Sequence, residues 1–193
     1  MIRLGVFGGS FDPPHLGHLR IAQISCDHLA LSRLLWIPTG SPPHKPSSEL
    51  SASSHRQAMV QLMVKEDPRF EMDLVEINRE GPSYTVDTIR LMEAAFPEAE
   101  LYLIIGEDQL RVFDTWKDPT AIRNSARLTC YKRTQLAEAT EEPQEPPIWL
   151  PGEPMEFSST AIRDGIRRGE RQSVSLLPAV EAYIKSHDLY LER

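Results

Sequence analysis

Apolar and polar residues alternate along the chain in blocks that predict strands interleaved with helices. Short runs rich in aliphatic and β-branched residues predict strands at 2–9, 33–38, 69–77, 99–106 and 126–133. Apolar residues at three- and four-residue steps predict helices at 16–29, 53–65, 83–96 and 176–191, with a short helical stretch at 107–116. Because strands that alternate with helices pair in parallel through right-handed crossovers, we expect a Rossmann-like, doubly wound α/β fold: a mainly parallel sheet with helices on both faces.

The same pattern predicts which parts of these elements are buried. The strand at 99–106 is the most apolar in the chain, which favours a central place in the sheet. The helix at 53–65 is expected to turn Ala58, Leu62 and Met63 towards the core.

Length and composition indicate one ordinary globular domain over residues 1–193. The chain has 193 residues, of which 40% are hydrophobic and 25% are charged, enough for a well-buried core. A polar, proline-containing loop is predicted at 39–52. Residues 134–147 carry four glutamates and three prolines without a basic residue, which predicts a solvated acidic loop that we expect to be mobile.

Charge and cysteine content narrow the function classes. The net charge of −7 argues against a nucleic-acid-binding surface, but a local cleft can still attract a small anion. Two cysteines, Cys26 and Cys130, are too few for a disulfide scaffold and predict a reduced, cytoplasmic setting. The apolar run at 101–105 is far shorter than the ~20 residues of a membrane span, and we expect neither a membrane segment nor a leader peptide.

The stretch GVFGGSFDPPHLGHL, residues 5–19, joins the first predicted strand to the first helix. Gly8 and Gly9 allow a ligand to approach the backbone closely, and two consecutive prolines direct the chain into the helix. His15 and His18 lie three residues apart on the first helical turn, where unpaired N–H groups attract anions. In a doubly wound sheet ligands bind at such strand-to-helix turns, so the stretch predicts a phosphate site with two imidazole donors.

Other interpretations of this stretch remain open. A turn with a helix cap explains the glycines and prolines but leaves the two histidines unexplained. A metal bound by the pair would need a third ligand, and the remaining histidines show no fixed pattern. The charge state of His15 and His18 is open, because the helix N-terminus disfavours the cation and a polyphosphate favours it. The chain has neither a P-loop nor a G-x-G-x-x-G motif.

A second candidate anion site lies near the C-terminus, in the segment FSSTAIRDGIRRG. Ser158, Ser159 and Thr160 stand at a predicted helix start, and Arg163 follows one turn later, where its guanidinium can hold phosphate oxygens. The alternative is an ordinary capped helix with a solvated basic face. Together with the first site, the segment favours a triphosphate held from both sides.

The residues GSFDPPHLGH, 9–18, resemble the nucleotidyltransferase signature G-x-F-D-P-x-H-x-G-H, and SSTAIR resembles its partner S-S-T-x-x-R. The segments PSYTVDT, PPHK and IGEDQLRVFDTW, with the closing LLPAVEAYIKSHDLY, are similar to bacterial nicotinate mononucleotide adenylyltransferases. This resemblance covers nearly the whole chain apart from the acidic loop. It implies transfer of AMP from ATP to nicotinate mononucleotide in NAD biosynthesis, by direct in-line attack without a covalent enzyme intermediate, and with Mg²⁺ accompanying ATP.

The resemblance also implies roles for individual residues. Catalysis is expected from His15, His18 and Arg163. ATP is expected to contact Gly8, Ser10, Phe11, Gly106, Asp108, Ser158, Ser159 and Thr160. Nicotinate mononucleotide is expected to contact Lys45, Thr85 and Trp116.

Each of these roles has a simpler alternative. Taken alone, Trp116 can be a core residue, Asp108 a helix cap and Lys45 a solvated surface charge. Many relatives carry an aromatic residue after the tryptophan, whereas this chain has Lys117, so we expect mainly Thr85 and backbone N–H groups near Lys117 to meet the nicotinate carboxylate. Two other functions remain open: a nucleotidyltransferase that uses another acceptor, such as phosphopantetheine or glycerol phosphate, and a non-catalytic nucleotide sensor. The sequence is compatible with a homo-oligomer.

Overall fold

The computed structural model describes residues 2–42, 50–132, 146–152, 157–171 and 174–191. In these residues six parallel strands form one sheet, in the order β3-β2-β1-β4-β5-β6. The strands are β1 (Ile2–Gly9), β2 (Arg33–Pro38), β3 (Phe70–Met72), β4 (Ala99–Gly106), β5 (Ala126–Tyr131) and β6 (Ile148–Trp149). This is the strand order of the doubly wound Rossmann sheet, so the predicted fold class and the central place of β4 are confirmed.

Seven α-helices lie in the described ranges. They are α1 (Leu16–His28), α2 (Ser53–Met63), α3 (Thr85–Ala95), α4 (Glu107–Leu110), α5 (Pro119–Ser125), α6 (Ser159–Arg167) and α7 (Pro178–Ser186). The sequence analysis missed α5, although its start carries recognisable features. Asp118 caps it by accepting from the N–H of Ala121, and a proline occupies the first turn.

Two apolar layers confirm that helices cover both faces of the sheet. One layer packs Phe7 and Ile104 against α1, α2, α6 and α7, and the other packs Val6 and Leu103 against α3 and α5. Adjacent strand residues therefore face opposite layers, as the two-residue period of a strand requires. Both cysteines are free and buried, and burial raises the pKa of each thiol to about 12. None of the described helices is long and apolar enough to cross a membrane.

The predicted strand at 69–77 is too long, because β3 ends at Met72. Immediately afterwards, Asp73 Oδ1 accepts a hydrogen bond from the backbone N–H of Val75 at 2.8 Å. A side chain that bonds its own backbone two residues on makes a turn, and this turn ends the strand.

The inward face of α2 also differs from the prediction. Met63 is buried as expected, but Ala58 and Leu62 are half-buried, and the fully covered positions include Arg56. The inward face of a helix is predicted from the spacing of its apolar residues. Arginine is polar, so the sequence pattern assigned this position to the solvent-exposed face. Its burial depends on partners elsewhere in the fold that satisfy its guanidinium.

The fold creates a crevice between β1 and β4. The helix α1 that leaves β1 lies on one face of the sheet, whereas α3, which leads into β4, lies on the other. The connections therefore diverge at the carboxyl ends of these neighbouring strands, where doubly wound folds bind their ligands.

Candidate active site

A cavity of ≈ 840 Å³ opens beyond the carboxyl ends of β1 and β4. Seven of the predicted site residues line it, namely Gly8, Ser10, His18, Thr85, Gly106, Asp108 and Trp116. These residues come from four separate segments of the chain. The structure therefore brings together the segment from the end of β1 into the first turn of α1 that carries His15 and His18 (residues 10–18, the histidine loop), the end of the central strand and the two segments expected to meet the acceptor.

The two histidines of the loop form a reciprocal cap on α1. The backbone N–H of His15 donates to Nδ1 of His18 at 3.2 Å, and the N–H of His18 donates to Nδ1 of His15 at 3.2 Å. Their rings stack with centroids 3.6 Å apart and planes 17° apart. His15 is only 2% exposed, whereas His18 faces the cavity. The expectation that a cap would leave the histidines unexplained is thus wrong, because the imidazoles themselves cap the helix.

This cap has a chemical consequence for both rings. An N–H donor pointing at Nδ1 needs the lone pair of that nitrogen, so the ring proton of each neutral imidazole lies on Nε2. Each ring can then donate through Nε2–H without carrying a positive charge. The spacing of three residues supplies both the cap and two parallel donors.

Gly17, between the two histidines, has no room for a side chain. A Cβ at this position would lie 2.9 Å from both Cβ and Cδ2 of Phe157, and 3.0 Å from Nδ1 of His15. Phe157 directly precedes the serine segment, and its ring stacks 5.9 Å from that of His15. Glycine is therefore required for the close approach of the second predicted anion segment to the first.

The start of α6 is held directly against the histidine loop. Ser159 Oγ donates to the carbonyl of Pro13 at 2.9 Å, and Arg163 Nη1 donates to the carbonyl of Asp12 at 2.8 Å. Arg163 Nη2 also lies 3.4 Å from Thr160 Oγ1, and Ser158 Oγ caps α6 by accepting from Ala161. The two predicted anion segments are therefore neighbours. In this structure the second one, residues 157–169 (the serine–arginine segment), holds the backbone of the histidine loop through these hydrogen bonds.

The end of β4 presents Asp108 to the cavity. Gly106 is the residue before α4, and no side chain caps this short helix. Asp108 lies in its first turn, is exposed and accepts from the Gln109 amide at 3.2 Å. The alternative that Asp108 serves as the helix cap is therefore wrong.

The opposite side of the cavity carries Thr85 and Trp116. Thr85 begins α3, whose first backbone N–H groups receive no side-chain cap. Trp116 is half-buried, and its ring centroid lies 5.2 Å from that of Phe113. It thus packs on the core with one side and lines the cavity with another. Lys117 also lines the cavity, and its Nζ forms an ion pair with Asp87 at 3.1 Å.

The sequence analysis missed Glu76, a buried carboxyl in the cavity wall. It is 6% exposed and accepts a hydrogen bond from Thr88 Oγ1 at 2.8 Å. Burial raises the pKa of Glu76, while the Thr88 hydrogen bond and the charge of Arg79 oppose this effect. Glu76 falls within the overlong strand predicted at 69–77, and no local feature of the sequence marks it.

Six of the described site residues do not line the cavity: Phe11, and also His15, Ser158, Ser159, Thr160 and Arg163, which make the contacts given above. The Phe11 side chain is 2% exposed and packs on Trp36 and His18, with ring centroids 5.1 Å apart in both cases, so it belongs to the core and does not line the cavity. Lys45 lies outside the described residues. So does most of the predicted acidic loop, because the description stops at residue 132 and resumes at residue 146.

Comparisons with known proteins agree with this architecture. The profile of the Cytidylyltransferase-like family matches residues 6–165. A probable nicotinate-nucleotide adenylyltransferase from Salinibacter ruber is 39% identical over 189 residues, 97% of each chain. One of the same name from Thermus thermophilus is 40% identical over 191 residues, 98% of this chain and all of the relative.

The fold is shared with more distant solved structures. Nicotinic acid mononucleotide adenylyltransferase from Plasmodium falciparum, complexed with NaAD, has a TM-score of 0.81 at 16% identity and covers 98% of both chains. A putative nicotinate-nucleotide adenylyltransferase from Vibrio parahaemolyticus has a TM-score of 0.74 at 19% identity, covering 100% of this chain and 98% of that one. The family profile covers most of the chain, and the curated relatives are similar over nearly its full length, including the histidine loop and the serine–arginine segment. The chain therefore belongs to the Cytidylyltransferase-like family of nucleotidyltransferases, among the nicotinate-nucleotide adenylyltransferases.

Proposed function

We propose that this chain transfers the AMP part of ATP to nicotinate mononucleotide, giving deamido-NAD and pyrophosphate. The observation that carries the proposal is that one and the same cavity is lined by Gly8 and His18, by Gly106 and Asp108, and by Thr85. Its volume of ≈ 840 Å³ suits two nucleotides bound end to end. Full-length relatives at 39–40% identity support the choice of acceptor.

The chemistry proposed is a direct displacement at the α-phosphorus of ATP. An oxygen of the acceptor's 5′-phosphate attacks, the bond to the bridging oxygen breaks, and pyrophosphate leaves. That phosphate is already anionic at neutral pH, so no general base is needed, and the protein contributes positioning and charge stabilisation. His15 and His18 suit this role, since their capping geometry leaves Nε2–H as the donor of each neutral ring.

The serine–arginine segment is proposed to meet the triphosphate from the side of α6. A guanidinium has five N–H donors, and those of Arg163 that bond Asp12 and Thr160 leave others for phosphate oxygens. The hydroxyls of Ser158, Ser159 and Thr160 stand at the same helix start. Contacts of the adenosine with Gly106 and Asp108 complete the proposed ATP site, in which a carboxylate can accept from ribose hydroxyls.

The nicotinate ring is proposed to lie between Thr85 and Trp116. The uncapped N–H groups at the start of α3 can bind its carboxylate, and the indole can stack on the ring. Because an amide carries no negative charge, this scheme favours nicotinate over nicotinamide mononucleotide. The contact of Lys45 with the acceptor phosphate stays a prediction, as does any aid from backbone groups near Lys117.

Mg²⁺ is proposed to arrive with ATP and to neutralise part of the triphosphate charge. Among the described residues no three His, Cys, Asp or Glu side chains come together as a metal site. We therefore propose that phosphate oxygens and water supply most of its ligands, as is common for this ion. A cytoplasmic setting suits these soluble nucleotides, and the oligomeric state stays a prediction.

The test is pyrophosphate release from ATP with nicotinate mononucleotide, compared with nicotinamide mononucleotide and with phosphopantetheine. We expect turnover chiefly with the nicotinate compound. Preference for phosphopantetheine would identify the alternative transferase, and binding of ATP without turnover would identify a sensor. Equal use of nicotinamide mononucleotide would refute the proposed carboxylate recognition.

A variant pair tests the role of the loop. We expect His18→Ala to lower kcat by ~10² or more, as loss of an oxyanion donor does. It also removes a cap, which should cost about 1 kcal/mol of stability. His28→Ala is the matched control, since His28 is exposed at the far end of the same helix. A folded His18→Ala protein with the kcat of this control would remove His18 from the mechanism.

A further inference from the structure

A buried polar network lies behind the histidine loop and centres on Asp12. This carboxylate belongs to the loop itself and is only 2% exposed. Its Oδ1 accepts from the Tyr190 hydroxyl at 2.6 Å, and its Oδ2 accepts from the backbone N–H of Ser51 at 3.0 Å. The carboxylate thus joins three segments that lie far apart in the sequence.

Arg56 supports this junction from α2. It is 2% exposed; its Nε donates to the carbonyl of Ser51 at 3.1 Å and its Nη1 to the carbonyl of Ser10 at 3.0 Å. Burial lowers the pKa of Arg56, and the charge of Asp12 opposes this effect. A buried arginine whose donors end on loop carbonyls fixes the backbone on that side.

The loop backbone is therefore held at three carbonyl positions between residues 10 and 13. Arg56 binds the carbonyl of Ser10, while α6 binds those of Asp12 and Pro13 through Arg163 and Ser159. These bonds restrain the main chain on two sides. The Asp12 side chain is restrained separately, and its shortest contact comes from the C-terminal tail.

The C-terminal tail, residues 187–191 after α7, has an unusual backbone conformation at the residue that makes this contact. Tyr190 follows α7 with φ of 66°, a left-handed conformation that is costly for a bulky residue. Such an outlier persists only where other contacts compensate for it. Here the compensation includes the 2.6 Å bond to Asp12. Burial and the neighbouring Asp12 charge both raise the pKa of Tyr190, so its hydroxyl keeps the proton that it donates.

We propose that Tyr190 is a positioning residue, which fixes the histidine loop for adenylyl transfer through its hydrogen bond to Asp12. The inference rests on the proposed function for its kinetic consequences. His15 lies three residues after Asp12, and its ring is stacked on that of His18. A small rotation of the Asp12 carboxylate and its backbone therefore moves both of the imidazoles that cap α1 together. Thr85 and Trp116, the proposed contacts of the acceptor ring, lie outside this network and should be unaffected.

Tyr190→Phe tests the proposal because it removes the hydroxyl and keeps the ring. We expect kcat to fall about tenfold, since a misplacement of 1 Å can cost ~10²-fold and this one should be smaller. The KM for nicotinate mononucleotide should stay within about twofold, because only the end of the site that carries the loop is displaced. Assays run well below the Tm of each variant keep the folded fraction constant.

Tyr183→Phe is the matched control. Tyr183 belongs to the same C-terminal segment, but its hydroxyl lies 3.0 Å from Nδ1 of His55 and not from the loop. Its removal should leave kcat near that of the wild type. An equal loss of kcat in both variants would mean that any disturbance of the C-terminal segment lowers activity, and this result would overturn the proposal.

A double-mutant cycle with Asp12→Ala examines the route of the effect, because alanine has no group that can bond the Tyr190 hydroxyl. If Tyr190 acts through Asp12, then Tyr190→Phe should change kcat less than about twofold in the Asp12→Ala background. Equal losses in both backgrounds would overturn the proposal, as would a wild-type kcat in the single Tyr190→Phe variant.

A final measurement separates this inference from the proposed function. The imidazole NMR signals of His15 and His18 should shift in Tyr190→Phe, whereas Tyr183→Phe should affect those of His55 and its ring neighbour His187. This measurement requires no turnover. A wild-type protein inactive on nicotinate mononucleotide would refute the function, and unchanged His15 and His18 signals would independently refute the positioning role.

Discussion

The substitution Gly17→Ala offers a direct test of how tightly α6 packs on the histidine loop. The added Cβ would lie 2.9 Å from Cβ and Cδ2 of Phe157 and 3.0 Å from Nδ1 of His15. Carbon atoms normally approach to about 3.5–4.0 Å, so the shortfall is about 0.6 Å or more. The Phe157 Cβ is attached to the main chain, so no change of rotamer relieves the contact, and the two segments must move apart.

The cost follows from this geometry. Inserting a methyl group into a packed interface typically costs about 1–3 kcal/mol. Replacing a helical glycine by alanine returns up to about 1 kcal/mol. We therefore expect a net loss of about 1–2 kcal/mol in the free energy of unfolding. For a domain of this size that lowers Tm by roughly 2–8 °C.

Gly17→Ala should also lower catalysis in the molecules that remain folded. Displacement of His15 Nδ1 disturbs the bond that it accepts from His18, and with it the aim of both rings. We expect kcat to fall by at least about tenfold, measured well below Tm, while the KM for nicotinate mononucleotide changes little. Thermal unfolding and steady-state kinetics on the same sample are the assays. Wild-type Tm and kcat together in Gly17→Ala would refute the claim that this glycine is required by close packing.

Two further substitutions address the cavity itself. Gly8→Ala is also the matched control for the glycine test: its Cβ would meet no protein atom within 4 Å, so Tm should be unchanged, whereas the KM for ATP should rise because the methyl group enters the cavity. An unchanged KM would place the nucleotide elsewhere. Glu76→Gln should stabilise the fold at pH 8 but not at pH 4. The raised pKa of Glu76 means that the folded state favours the protonated carboxyl. The contribution of Glu76 to the free energy of unfolding is therefore fully present at low pH and is lost as pH rises through the folded pKa, whereas a glutamine does not titrate. Parallel curves of Tm against pH for the two proteins would contradict this reasoning.

The pattern along the chain was enough for the architecture and for the place of the ligand site after β1. Strand–helix alternation predicts a parallel doubly wound sheet, because that arrangement is how such elements bury their apolar faces. The three-residue spacing of His15 and His18 predicts their shared face, and the place of the loop after β1 predicts a ligand site. These conclusions follow from local periodicity and from the general rule that such sheets bind ligands at their carboxyl edge.

Only the tertiary structure could decide which distant residues support the histidine loop and which polar side chains are buried. Tyr190 meets Asp12 across 178 positions, and Arg163 meets Asp12 across 151, distances at which no periodicity operates. The burial of Arg56 and Glu76 likewise depends on partners from other segments, so a polarity count assigned the first to solvent and left the second unmarked. A sequence states which face each residue occupies within its element. The packing of elements determines which of those faces meet, and the hydrogen-bond partners found there determine whether a buried charge is tolerated.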